Sequence, residues 1–60
     1  MSRRMDLVDQ ARRLRKDMDF MSRLEISETQ CLLAVEWDCA SPEKLDLFEK
    51  IVREKGTVPA

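Results

Sequence analysis

No stretch of this sequence alternates apolar and polar residues with a period of two, and chain breakers are sparse: one glycine, Gly56, and two prolines, Pro42 and Pro59. Strands and tight hairpins need both signals, so the chain is predicted to be all-α. Apolar residues recur at helical spacing instead. Leu7, Ala11, Leu14, Met18 and Met21 follow steps of four, three, four and three, lining one face of a helix predicted over about residues 2–23. Val8 and Leu24 widen that stripe. Two heptads are too few for a free-standing coiled coil, so the seam needs neighbours.

A second helix is predicted over about 28–38. Ser27-Glu28-Thr29-Gln30 reads as a capping box, in which Ser27 covers the Gln30 amide and the Gln30 side chain reaches back. Ile26 and Cys31 then stand at the two positions of a hydrophobic staple. Cys31, Leu32, Leu33, Ala34, Val35 and Trp37 cover most of this helix's circumference, a pattern that predicts burial. Arg23 to Ile26 holds neither glycine nor proline, so one rod of about 35 residues is the alternative to a break there.

Ser41-Pro42-Glu43 starts a third helix, with a serine N-cap, proline at the first helical position and an acid in the first turn. It is expected to run over about 42–55, with Leu45, Phe48, Ile51 and Val52 inward and Gly56 as a left-handed C′ residue. Asp46 with Lys50 and Glu49 with Arg53 are predicted i,i+4 pairs. Residues 56–60 are read as a short tail, with Thr57 to Ala60 frayed.

Sixty residues at 7.1 kDa make one small domain, residues 1–60. A chain of this mass exposes roughly 4,100 Å² folded and about 10,300 Å² unfolded, so folding hides only about 60%. Apolar burial on the order of 90 kcal/mol is then matched by an ordering cost of about the same size. The near-zero balance predicts that burial is completed by association. The expected fold is thus three short helices, or a long helix plus a short one, in a hairpin or bundle completed by homodimerisation. Leu7, Leu14, Met18, Met21, Leu33, Trp37 and Phe48 are the predicted core or dimer-interface residues. Trp37 is the sole tryptophan, read as a core keystone or an interface anchor.

Composition excludes much chemistry. There is no histidine, so the commonest general base and metal ligand is missing and Ser–His or Cys–His pairs are impossible. A single glycine cannot build a phosphate-cradling loop. No catalytic residue, cofactor, metal or small-molecule substrate is expected, and the chain is read as not an enzyme. Cys31 and Cys39 lie eight residues apart, about 12 Å along a helix, too far for a disulfide. Both are expected as free thiols used as small buried apolar groups. The longest apolar run, Cys31 to Val35, is too short for a membrane span or a signal-peptide core, which sets a cytoplasmic expectation.

Charge is unevenly placed. Residues 1–23 carry seven bases and four acids, a balance of +3, whereas residues 24–60 carry four bases and eight acids, a balance of −4. Such halves attract each other within a hairpin or between two chains. Arg12, Arg13, Arg15 and Lys16 form a basic cluster, with Arg3 and Arg4 upstream. Asp6, Asp9, Asp17 and Asp19 are interspersed, and Asp9–Arg13 and Arg15–Asp19 are expected to pair. Arg12, Arg13, Arg15, Lys16 and Phe20 are the candidate partner-binding residues, and a soft Met/Phe surface is a second candidate. A helix-turn-helix reading is opposed by a third helix without base-reading residues. The aspartates likewise oppose a membrane-surface role for the first helix.

The leading expectation is a non-catalytic regulatory or adaptor protein, inhibitor- or antirepressor-like in scale, acting as a helical homodimer on one larger protein. A small dimeric DNA-binding regulator using the Arg-rich first helix is the alternative. A structural subunit of a larger assembly is the third.

Overall fold

A computed structural model of the chain describes residues 2–56; the predicted frayed tail from Thr57 to Ala60 lies outside them. Four helices follow one another, and no strand occurs among the described residues: α1 (Arg3–Arg15), α2 (Met18–Ser22), α3 (Ile26–Glu36) and α4 (Pro42–Lys55). The all-α expectation holds. The radius of gyration, 10.6 Å, sits at the value of about 10.4 Å that size scaling gives for sixty residues.

The predicted helix over 2–23 is broken in two. Lys16 caps α1, and Asp17 leaves the helical region to become the N-cap of α2, its Oδ1 accepting from the Phe20 N–H at 3.2 Å. Aspartate is among the strongest N-cap residues, and Arg12, Arg13 and Arg15 favour the negative end of α1 just before it. The break resets the helical phase. Met18, which the continuous pattern placed inside, is 78% exposed, and Phe20 takes the interior position with 2% exposed.

The start of α3 also differs from the predicted one. Glu25 is the N-cap, and its N–H donates to Glu28 Oε1 at 2.8 Å. Ser27 and Gln30 therefore lie within the helix rather than at its cap. Ile26 becomes its first residue and is 82% exposed, so it forms no staple with the buried Cys31. The break between α2 and α3 is therefore present, with its N-cap two residues earlier than Ser27.

Helix α3 ends two residues before the predicted Asp38, in a Schellman motif. The Asp38 N–H donates to the Val35 carbonyl at 3.0 Å and the Cys39 N–H to the Ala34 carbonyl at 2.9 Å. The residue at C′ is Asp38, with φ 56°, where glycine is usual. Aspartate tolerates the left-handed region better than most L-residues. Arg4 holds it there: Nη1 bridges to Asp38 Oδ1 at 2.8 Å, and Nη2 donates to the Ala40 carbonyl at 3.2 Å.

Helix α4 starts as predicted, with Ser41 Oγ accepting from the Lys44 N–H at 3.3 Å and Pro42 in the first turn. Its end differs. Gly56 is right-handed, with φ −90°, and donates to the Val52 carbonyl at 2.8 Å. Its lack of a side chain answers a close approach instead. A Cβ there would stand 2.7 Å from the Val52 carbonyl oxygen and 3.3 Å from the Phe20 ring. The Phe20 ring thus packs over the end of α4. Arg23 and Lys55 tie the same corner reciprocally, Arg23 Nη1 to the Lys55 carbonyl at 3.0 Å and Lys55 Nζ to the Arg23 carbonyl at 3.2 Å.

Helix α3 lies against both α1 and α4, and its inner side carries the centre of the core. Leu32, Val35 and Cys31 from α3 meet Phe48, Ile51 and Leu45 from α4 and Leu7 and Ala11 from α1, with Phe20 and Ala40 closing the two ends. Leu14, Met21 and Leu24 pack at the edge. The reason is amphipathicity on α1 and α4; α3 follows a different rule.

Candidate interaction surfaces

The outer half of α3 carries an apolar stripe that nothing covers among the described residues. At 100° per residue, Ile26, Leu33 and Trp37 fall within 40° of one another, opposite Cys31, Leu32 and Val35. They are 82%, 37% and 76% exposed. Thr29, Gln30 and Ala34 share this half. Its one charged residue, Glu36, lies at the edge, about 80° from Ile26, with its side chain 12% exposed and bonded to Arg15. The central stripe is thus uncharged in a chain whose residues are 38% charged. Ordinary surface helices place their charges on this side.

The predicted burial of the second helix on nearly all sides is therefore corrected within the protomer: the inside of α3 is covered and the outside is not. Among the predicted core or interface residues, Leu7 and Phe48 are buried, and Leu14 and Met21 are half-buried. Leu33, Trp37 and Met18 face solvent. Trp37 is not a keystone of the protomer core. It caps α3, its N–H donating to the Leu33 carbonyl at 3.0 Å, and its side chain points away from the core.

The basic cluster divides into two groups. Arg15 Nε is bonded to Glu36 Oε2 across the α1–α3 contact, instead of pairing with Asp19. Arg3 reaches α4, where it pairs with both Asp46 and Glu49; these two carboxylates hold its guanidinium further into the charged range than usual. Asp46 thus faces Arg3 and not Lys50. Arg4 is committed to Asp38. Arg12, Arg13 and Lys16 are exposed, and their side chains have no ion pair or hydrogen bond among the described residues. The expected Asp9–Arg13 pair is absent among them. Phe20, predicted as a contact residue beside this cluster, is core, so the proposed Met/Phe surface loses its aromatic member.

The ion pairs explain a division the sequence conceals. Arg3, Arg4 and Arg15 lie on the flanks of α1 that face α4 and α3, and each finds an acid from the second half of the chain. Arg12, Arg13 and Lys16 lie on the outer side, with Asp6 and Asp9 nearby. Exposed pairs of this kind contribute about 0–1 kcal/mol each, so they orient helices more than they stabilise them.

The two cysteines are free and differ in setting. Cys31 is fully buried, its Sγ donating to the Lys44 carbonyl at 3.3 Å, and burial pushes its thiol pKa up. Cys39 is exposed beside the end of α3, which corrects the expectation that both are buried. In dilute solution a chromogenic thiol reagent is expected to modify one thiol per chain quickly, Cys39, and the second only after denaturant is added. Two fast-reacting thiols would contradict the packing of Cys31 between α3 and α4.

Among the described residues no group of metal-ligating side chains comes together, and no helix is long and apolar enough to cross a membrane. Comparison with protein-family models, with curated proteins and with solved structures gives no match.

Proposed function

We propose that this chain is a non-catalytic, cytoplasmic regulatory or adaptor protein that acts as a helical homodimer by docking on an acidic surface of one larger protein and covering it. The observation that carries this reading is the division of the α1 cations. Arg3, Arg4 and Arg15 are engaged within the chain, whereas Arg12, Arg13 and Lys16 project outward with no partner among the described residues. Arginine is the residue that interfaces favour for bidentate carboxylate contacts. Three cations of this kind on one and a half turns form a compact site for clustered carboxylates. The absence of histidine from the sequence supports the non-catalytic part.

Nucleic acid is the second reading, since the same cations suit phosphates. Asp6 and Asp9 share the exposed side of α1 and weaken its field, which favours the protein partner.

The test replaces Arg12, Arg13 and Lys16 together by alanine. All three are exposed, so thermal stability is expected to stay within about 0.5 kcal/mol of wild type. Affinity capture from the native host should return one specific acidic protein with the wild-type chain and lose it with the triple variant. Retention of that partner by the triple variant would exclude the basic face. Salt-sensitive binding to a mixed DNA pool, lost in the triple variant, would transfer the assignment to the second reading.

A further inference from the structure

We infer that the uncharged stripe on the outer face of α3 is the dimer interface, with two copies of α3 packed antiparallel about a two-fold axis. This rests on the homodimer reading above and names the surface that carries it.

Three observations converge on a second copy as the occupant. The first is charge. Near a two-fold axis each residue meets its own copy, so any charge there meets a like charge. A chain that is 38% charged nevertheless keeps the stripe of Ile26, Gln30, Leu33 and Trp37 neutral, as such an axis requires, and the one acid at its edge, Glu36, is paired with Arg15 of the same chain. An acidic or basic partner would call for charges along this stripe, and it has none.

The second is register. An antiparallel pair centred between Cys31 and Leu32 matches residues whose numbers sum to 63. Ile26 then lies opposite Trp37 of the second copy, and Leu33 opposite Gln30. The large indole covers the large exposed isoleucine, twice per dimer. The one polar side chain in the middle of the stripe meets leucine at its edge, where water still reaches its amide. The face is complementary to itself.

The third is area. At their observed exposures Ile26, Leu33 and Trp37 leave roughly 400 Å² in water, within the ~300–600 Å² of the largest patch on an ordinary monomer. Two such faces supply about 800 Å² of apolar interface, and the flanking Ser27, Thr29 and Gln30 bring the total towards ~1,200 Å², the lower end of specific interfaces. An interface at this end of the range suits a concentration-dependent dimer.

Sedimentation equilibrium from micromolar to millimolar concentration tests this. The wild-type chain should pass from monomer to dimer. Trp37→Glu and Leu33→Glu should each weaken the dimer at least about thirtyfold with an unchanged far-ultraviolet circular dichroism spectrum, because both side chains lie outside the protomer core. Orientation is read in a Cys39→Ser background with a short bismaleimide. Chains carrying Ile26→Cys should cross-link to chains carrying Trp37→Cys and not to each other, since two copies of residue 26 would lie about 16 Å apart along antiparallel helices. A dimer insensitive to both glutamate substitutions overturns this interface and leaves the homodimer reading intact. A wild-type chain that stays monomeric overturns both. Cross-linking between Ile26→Cys chains contradicts the antiparallel register.

Discussion

Phe48→Ala is expected to abolish cooperative folding of the protomer at room temperature. Phe48 is fully buried at the middle of α4 and belongs to the cluster formed with Leu32, Val35, Cys31 and Ile51. Truncating a buried phenylalanine costs about 3–5 kcal/mol, through lost transfer energy and the cavity left behind. A domain of this length holds roughly 3–9 kcal/mol in total. The helices have little to fall back on, because isolated helices of eleven to fourteen residues are marginal in water. Thermal unfolding followed by circular dichroism should show a broad, non-cooperative loss of signal. A melting temperature within a few degrees of wild type would mean that α3 and α4 do not pack through this residue.

Phe20→Ala is the second large effect, set against Met18→Ala, which should be almost silent. Phe20 is the one buried residue of the five in α2. Its ring lies 3.3 Å from where a Gly56 Cβ would stand, beside the Arg23–Lys55 bonds that close this corner. Removing it is expected to cost about 3 kcal/mol and to loosen α2 together with the last turn of α4. Met18 is mostly in water, so its truncation should stay within about 0.5 kcal/mol. The comparison decides the phase of the chain after Leu14. A continuous helix through residue 23 would reverse the two results, with Met18 the costly position and Phe20 the tolerant one. Urea titration of both variants gives the answer directly.

How much was legible in the sequence depends on whether the local signal and the packing agree. At Ser41-Pro42-Glu43 they agree, and α4 begins where the cap chemistry says. The apolar residues of α1 up to Leu14 are also readable, because one amphipathic face meets one core. Past Leu14 the heptad-like spacing continues in sequence but not in space. Asp17, an N-cap with three arginines just before it, carried the signal for the break, and the regular spacing of Met18 and Met21 obscured it. At α3 two capping boxes overlap, Glu25 to Glu28 and Ser27 to Gln30. Glutamate is the weaker N-cap in general, but the box that closes is the earlier one, with Glu28 Oε1 accepting from the Glu25 N–H.

The surfaces were readable in part. The outward cluster of Arg12, Arg13 and Lys16 was visible as composition, but which arginines were committed was not. That choice depends on contacts 21 to 46 residues away in sequence, such as Arg15 with Glu36 and Arg3 with Glu49. Trp37 reads in the sequence as a core keystone or an interface anchor; the structure places it outside the protomer core, and the second role is the one proposed above. An all-apolar helix in a small chain suggests burial on every side. Here the described residues cover only half of α3, and the other half is what the proposed association would bury.

The claim that association covers this face is tested most directly by the fluorescence of Trp37, the only tryptophan in the chain, across a dilution series. Dilute protein should emit at long wavelength and be quenched readily by acrylamide, as a solvent-exposed indole is. Raising the concentration through the micromolar range should shift emission to shorter wavelength and protect it from the quencher, in step with dimer formed in the ultracentrifuge. Emission that stays long-wavelength and quenchable at every concentration would contradict the account.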